Sequence, residues 1–318
     1  MSDQPAILLT NPIHPDARAL LSPHARLVLA PDTAPDTLKR LAAQAEGIIV
    51  RAMLPPDIFE NAPRLRGVVR HGVGLDMIPV EAATARRIPV ANVPGSNTTA
   101  VVEYALSAIL TLRRRVARMD DLMRREGWAV ARPLADDTQE IEGSTCGIIG
   151  LGAIGSQLAR KAQALGLRVL GVTPHPDTLP EGVEAASLED LLARADIVVL
   201  CCPLTEATRG MIDARAIARM RPGALLINVA RGPIVDAQAL GDALRAGCLG
   251  GAALDVHAVQ PLALDHPLRD CPNLLLTPHV AGITATSMRN MSMGAAEQML
   301  AILRGERPRH LVNPAIHG

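Results

Sequence analysis

Three glycines at 150, 152 and 155, in the stretch TCGIIGLGAIGSQLA beginning at Thr145, constrain the fold more than any other feature of the chain. An apolar run leads into Gly150, and an amphipathic run from Ser156 to Leu165 follows Gly155 at once. That order is strand, tight turn, helix. The first glycine permits the turn, the second lets backbone approach a pyrophosphate, and the third lets helix pack closely on strand. The phosphates would then rest on unpaired N–H groups at the helix start. A merely glycine-rich turn, in a chain with 25 glycines, is the competing explanation. The flanking periodicities and the strand–helix units that follow weigh against it.

At 318 residues the chain is long for one core and comfortable for two domains. Its 32 basic and 32 acidic side chains cancel without long charged blocks, which argues against nucleic-acid or membrane-surface partners. Five cysteines in no regular framework suggest a reducing compartment. No basic segment with an apolar core opens the sequence and no apolar run reaches spanning length, so a cytoplasmic location is expected. Aromatic residues are limited to Phe59, Tyr104 and Trp128, so alanine, leucine, isoleucine and valine must fill the cores.

Short apolar runs predict strands at 6–9, 26–29, 47–50, 65–70 and near Val90, with helices at 35–45 and 80–86. A long helix is predicted over 98–118, capped by Asn97, with Val101, Ala105, Ala108, Ile109 and Leu112 on one side. Six strands are predicted in the central segment: the one entering the glycine turn, then 168–172, 196–200, 224–228, 250–254 and 273–276. Helices at 187–193, 213–220 and 236–246 alternate with them. A closing helix at 284–303 contains Gly294, which would allow close packing, and the chain from Gly305 reads as tail. The expected class is α/β, with two domains that each carry a parallel sheet flanked by helices. Residues 98–284 would form a Rossmann-type nucleotide domain, inserted into a flavodoxin-like substrate domain made of 1–97 and 285–318. Two crossings would then hinge over a cleft.

Open α/β sheets bind ligands beyond the carboxyl ends of their strands. Those positions are Arg51, residues 71–74, the glycine turn, Thr173, 201–205, 228–232, 255–260 and 277–282. Arg231, just before Gly232-Pro233, offers a planar fork suited to a carboxylate, with a surface ion pair as its ordinary alternative. His279, after Pro278, suits proton transfer to a carbonyl, with a structural histidine as its alternative. His257, His266 and Cys271 lack metal-ligand spacing, and no metal is expected.

Taken together, these stretches resemble the D-isomer-specific 2-hydroxyacid dehydrogenases. HGVGLD at 71–76, PGSN at 94–97 with Val102-Glu103, the 150–155 turn, CPLT at 202–205 with Thr208, NVARG at 228–232, AALDV at 252–256 and TPHVAG at 277–282 stand in family order. The resemblance implies hydride transfer between NAD(H) or NADP(H) and a small D-2-hydroxy acid or 2-keto acid. It implies that Arg231 binds the substrate and that His279 is the acid/base. Val73 and Gly74 would offer N–H groups to the carboxylate, and Arg51 would line the pocket's outer side. Gly150, Gly152, Ala153, Ile154, Gly155, Thr173, Cys202, Pro203, Thr208, Val229, Ala230, His279 and Gly282 would line the cofactor, with Asp255 at the carboxamide. A homodimer through the 98–118 helix and the arm near Trp128 is also implied. Glyoxylate, hydroxypyruvate, pyruvate and longer 2-keto acids all fit, and the extra C-terminal region of longer phosphoglycerate enzymes is not expected.

Two positions depart from the family pattern. Gln260 stands where a glutamate usually pairs with the catalytic histidine; an amide orients the ring but supplies no charge, so His279 is expected to titrate lower than its relatives' histidine. Similar formate dehydrogenases also have glutamine there, which keeps a formate-type reaction open, as does a cofactor-binding regulator without turnover. Thr173 stands where an acidic residue normally selects NAD, so preference between the two cofactors stays open.

Overall fold

The computed structural model describes residues 4–317. Contacts divide the chain into one unit of Met1–Asn97 with Ile283–Gly318 and a second of Thr98–Gly282. The second crossing falls two residues before the expected 284/285. Thr284 belongs with the closing helix because its side chain caps that helix, accepting from Ser287 N at 3.0 Å.

In the first unit, β1 (Ala6–Leu9), β2 (Arg26–Leu29), β3 (Gly47–Val50), β4 (Gly67–Arg70) and β5 (Val90–Ala91) form one parallel sheet in the order β2-β1-β3-β4-β5. This is the flavodoxin-like order. Alternation along the strands sorts the core into two layers. Leu8, Ile48, Val50, Val68 and Val90 face the helices Pro35–Ala42 and Val80–Ala85. Ile7, Leu9, Ile49, Val69 and Ala91 face Pro15–Leu21 and Ala285–Leu303. The closing helix lies so near the sheet that a Cβ on Gly47 would stand 2.4 Å from Met299 Sδ, and one on Gly294 2.3 Å from a Val93 methyl. Gly294 therefore serves close packing, as expected. Two features were not foreseen. Helix Pro15–Leu21 has only seven residues, of which Ala17 and Leu21 alone are buried, too few to show a helical period. The stretch after Gly305 is also more than tail: Asn313 accepts from Val90 N (2.8 Å) and donates to Ile88 O (2.9 Å), covering the exposed edge of β5.

The second unit holds β6 (Thr145–Ile149), β7 (Arg168–Val172), β8 (Val183–Ala185), β9 (Ile197–Leu200), β10 (Leu225–Asn228), β11 (Gly251–Leu254) and β12 (Leu274–Leu276). Their order is β12-β11-β10-β9-β6-β7-β8, all parallel. The order reverses at β6, the switch point of a doubly wound sheet. Seven strands replace the six expected. The missed one, β8, is three largely exposed residues without an apolar run, so periodicity could not reveal it. Helices Thr98–Arg114 and Ala153–Ala164 cover one face. Leu188–Arg194, Ala214–Arg219 and Ala237–Arg245 cover the other, with Ser187, Asp213 and Asp236 as their caps.

The helix predicted over 98–118 is interrupted. Arg115 adopts a left-handed conformation (φ 50°), ending Thr98–Arg114 and starting Val116–Arg125. The five predicted apolar positions are all buried. Asn97 does not act as a side-chain cap, since its Oδ1 is buried without a hydrogen-bond partner among the described residues.

Candidate active site

β6 delivers Ile149 to Gly150, whose φ of 96° is open to glycine and few other residues. A Cβ there would lie 2.6 Å from Cys202 N, so the glycine turn and the loop after β9 touch backbone to backbone. A Cβ on Gly155 would lie 2.0 Å from Gly150 O, which is the close helix–strand approach the third glycine serves. At Gly152 the requirement differs: nothing stands within 4 Å of a Cβ position. Helix Ala153–Ala164 begins there without a side-chain cap, and the N–H groups of Ala153, Ile154 and Gly155 have no partner among the described residues. An open second glycine facing three unpaired donors fits a dinucleotide's pyrophosphate.

The neighbouring loops are braced by their own residues. Thr208 Oγ1 donates to Pro203 O at 2.7 Å and accepts from Thr205 N at 2.8 Å, closing the loop that carries Cys202. Burial pushes the Cys201 and Cys202 thiols up, so both sit as small apolar groups. Thr173 Oγ1 accepts from His175 N (3.2 Å), and no carboxylate stands at the end of β7.

Beyond β10, Asn228 is fully buried and organises the arginine turn: its Oδ1 accepts from Ala230 N and its Nδ2 donates to Arg231 O, both at 3.0 Å. Val229 precedes this turn, and Arg231 Nη1 donates to Ala230 O at 2.7 Å. A Cβ on Gly232 would collide with the His257 carbonyl carbon at 2.0 Å, so the arginine turn and the 257–260 loop lie back to back.

His279 has φ 59°, an uncommon state for a residue with a side chain. Asp255 holds it there. The N–H groups of His279, Val280 and Ala281 donate in succession to Asp255 O, Oδ1 and Oδ2, each at 2.8 Å. Thr277 Oγ1 adds a 2.6 Å bond to Oδ1, and Tyr104 OH lies 2.6 Å from Thr277 Oγ1. Asp255 is only 1% exposed, so its observed work is to shape the turn that ends at Gly282. Asp255 is expected at the carboxamide and Thr277 only as a strand-end position of the TPHVAG stretch, while the sequence gives Tyr104 no role. His279 Nδ1 stands 3.0 Å from Gln260 Oε1, and Gln260 Nε2 donates to His257 O at 3.3 Å. With its NH₂ committed to a carbonyl, Gln260 presents its oxygen to the ring. His279 Nδ1 therefore carries the hydrogen of this contact, which fixes the orientation of the ring.

In the first unit, β4 ends at Arg70, which sequence reading passed over. Its guanidinium donates to Gly74 O (3.0 Å), Val50 O (2.7 Å) and His71 O (2.8 Å). Asn92 Nδ2 takes Val73 O at 2.9 Å. With the carbonyls of Val73 and Gly74 so engaged, their N–H groups have no partner among the described residues, an arrangement able to take an anion. Arg51, expected on the pocket's outer side, donates to Pro12 O and lies 3.9 Å from Met288 Sδ through Nη2; burial lowers its pKa. His71 is buried against Ser292 Oγ (2.7 Å); burial first, then the Arg51 and Arg70 charges, push it down to about 3. Among the described residues no His, Cys, Asp and Glu cluster has metal-binding geometry.

The second unit is thus a dinucleotide-binding domain with an arginine turn and an oriented imidazole at its strand ends. The family model for the D-isomer specific 2-hydroxyacid dehydrogenase NAD binding domain matches residues 106–281. Over 98% of its length the chain is 35% identical to a glyoxylate reductase of Korarchaeum cryptofilum, covering 97% of that protein. It is 38% identical to a D-3-phosphoglycerate dehydrogenase of Mycobacterium leprae over 88% of this chain, spanning about half of that longer enzyme (53%). The solved TT0316 protein of Thermus thermophilus superposes with a TM-score of 0.90 at 33% identity, covering 96% of this chain and 99% of that one. The chain belongs to the D-isomer specific 2-hydroxyacid dehydrogenase family. At family level it is an oxidoreductase that transfers hydride between NAD(P) and a small 2-hydroxy or 2-keto acid.

Proposed function

We propose that this protein reduces small 2-keto acids such as glyoxylate or hydroxypyruvate to D-2-hydroxy acids. The observation that carries this reading is the His279–Gln260 contact (3.0 Å), which orients the imidazole with Nδ1 as the donor to the amide oxygen. Bound NAD(P)H supplies the hydride. Arg231 grips the substrate through its carboxylate and carbonyl oxygens and stabilises charge growing on the carbonyl. His279 donates from Nε2 to that oxygen in reduction and accepts from the alcohol in oxidation. In the first unit, Val73 and Gly74, whose N–H groups are able to take an anion, and Arg51 are the proposed substrate-binding residues. Gly150, Gly152 and the N–H groups of Ala153–Gly155 take the pyrophosphate. Thr173, Cys202, Pro203, Thr208, Val229, Ala230 and Gly282 flank the rest of the cofactor, and Asp255 meets the carboxamide. Thr173 neither repels a 2′-phosphate nor binds adenosine hydroxyls as a carboxylate would, so both NADH and NADPH serve.

Gln260 supports one second reading, oxidation of formate, which requires no proton shuttle at His279. A panel of glyoxylate, hydroxypyruvate, pyruvate and longer 2-keto acids, each with NADH and NADPH and followed by cofactor absorbance, tests the assignment. Turnover lost in Arg231→Ala upholds it. Formate oxidation alone would establish the second reading, and cofactor binding without any turnover would make the protein a regulator. A homodimer is proposed on the arm, where Val116, Met123, Trp128 and Val130 are exposed (Trp128 by 70%), and sedimentation of Trp128→Glu as a monomer would uphold it. A cytoplasmic site of action is proposed from five free cysteines.

A further inference from the structure

We propose that Tyr104 is a positioning residue for His279, acting as the donor end of a one-way hydrogen-bond chain that runs through Thr277 to Asp255. The significance given to His279 rests on the proton-transfer role proposed above; the chain itself does not.

Its direction follows from what each group can do. The Asp255 carboxylate only accepts, and it already takes the Val280 and Ala281 N–H groups. Thr277 Oγ1, 2.6 Å from Oδ1, must spend its single hydrogen on that bond. The Tyr104–Thr277 contact, also 2.6 Å, is then a phenol donating to a hydroxyl oxygen. A hydroxyl that both donates and accepts cannot rotate without breaking a bond, so Tyr104 locks Thr277 and Thr277 locks the carboxylate plane. That plane matters because its two oxygens capture adjacent N–H groups. If the carboxylate turned, Val280 and Ala281 would lose their partners together, and the left-handed backbone at His279 (φ 59°) would lose what offsets its strain.

The anchor is rigid. Tyr104 sits mid-way along helix Thr98–Arg114, flanked by Val101, Val102, Ala105, Ala108 and Ile109, all at most 5% exposed. Burial pushes the phenol's pKa up, which keeps its proton in place for donation at neutral pH. Tyr104 is also the one tyrosine of the sequence. A leucine or phenylalanine would fill the same space, so the hydroxyl is what distinguishes the site.

Tyr104→Phe keeps the ring and removes the donor, and Thr277→Val breaks the chain one link later. Thr277→Ser keeps a hydroxyl and should behave as wild type. In both broken-chain variants amide hydrogen exchange at Val280 and Ala281 should quicken about fivefold, the equivalent of one neutral hydrogen bond, while exchange in β10 stays unchanged. With the best 2-keto acid, kcat should fall by a similar factor with KM held within about twofold, and the double variant should be no worse than either single one. Unchanged exchange at 280–281 in Tyr104→Phe, or additive losses in the double variant, overturns the proposal. Faster exchange spread evenly over the whole unit also overturns it, because that is ordinary destabilisation. If Tyr104→Phe does not fold, the Thr277→Val and Thr277→Ser pair decides by the same readouts. If wild type turns over no 2-keto acid, the functional reading fails, and the exchange experiment still decides the chain.

Discussion

Replacing Gln260 by glutamate puts a charge where the structure has a neutral acceptor. The two side chains meet at 3.0 Å between Gln260 Oε1 and His279 Nδ1, and both residues are exposed. Opposite unit charges at that separation attract by about 1.4 kcal/mol at the dielectric constant of water. That energy favours imidazolium over imidazole and corresponds to about one pH unit. In the proposed reduction imidazolium would be the competent form, so activity is expected to fall as pH rises through the His279 midpoint. Gln260→Glu should carry that midpoint upward by about one unit, retaining activity at higher pH. The assay is kcat/KM for the best 2-keto acid between about pH 5 and 9, since that parameter reports groups on the free enzyme. Gln260→Ala is the control: it loses ring orientation and so lowers the rate, but supplies no charge and should not raise the midpoint. A profile for Gln260→Glu that stays in place or moves down would refute the reasoning, because no other charge is introduced.

Gly155→Ala should be poorly tolerated. Its Cβ would stand 2.0 Å from Gly150 O, a backbone atom with little freedom, so a loss of about 1–3 kcal/mol in denaturant unfolding is expected, together with weakened cofactor binding. Unfolding at the wild-type midpoint with undiminished cofactor affinity would contradict the close approach. His71, pushed down to about 3 by burial and two arginines, makes the first unit acid-sensitive. The unfolded chain binds a proton below the ordinary histidine value, near 6.5, and the folded one does not, so stability is full above that value and declines as pH falls towards about 3, at up to about 1.4 kcal/mol per pH unit. His71→Gln should flatten the melting temperature between about pH 6.5 and 4; an unchanged slope would remove His71 as its source.

Legibility in the sequence followed the range of the interactions. Buried parallel strands advertise themselves as apolar runs, so the sequence marks β7, β9, β10 and β11 to within a residue and β6 as the run entering the glycine turn. β8, with one half-buried position in three, was not seen. The cofactor turn was legible because each glycine answers a local demand: a positive φ at Gly150, an open approach at Gly152 and a close carbonyl at Gly155. Candidate residues at strand ends could be shortlisted, but nothing local indicated that Arg70 holds the 71–74 loop or that Asp255 collects three successive N–H groups.

The sequence by itself determined two parallel α/β sheets, the glycine turn and the pair of side chains, Arg231 and His279, on which the chemistry is proposed. These follow from propensity, period and motif within a few residues of one another. Tertiary structure alone decided the break at Arg115, the edge cover by Asn313, the orientation of Gln260 and the Tyr104–Thr277 bond across 173 residues of sequence. Each of those depends on which distant group becomes a neighbour, and hydrogen-bond partners chosen by folding leave no periodic trace in the chain that carries them.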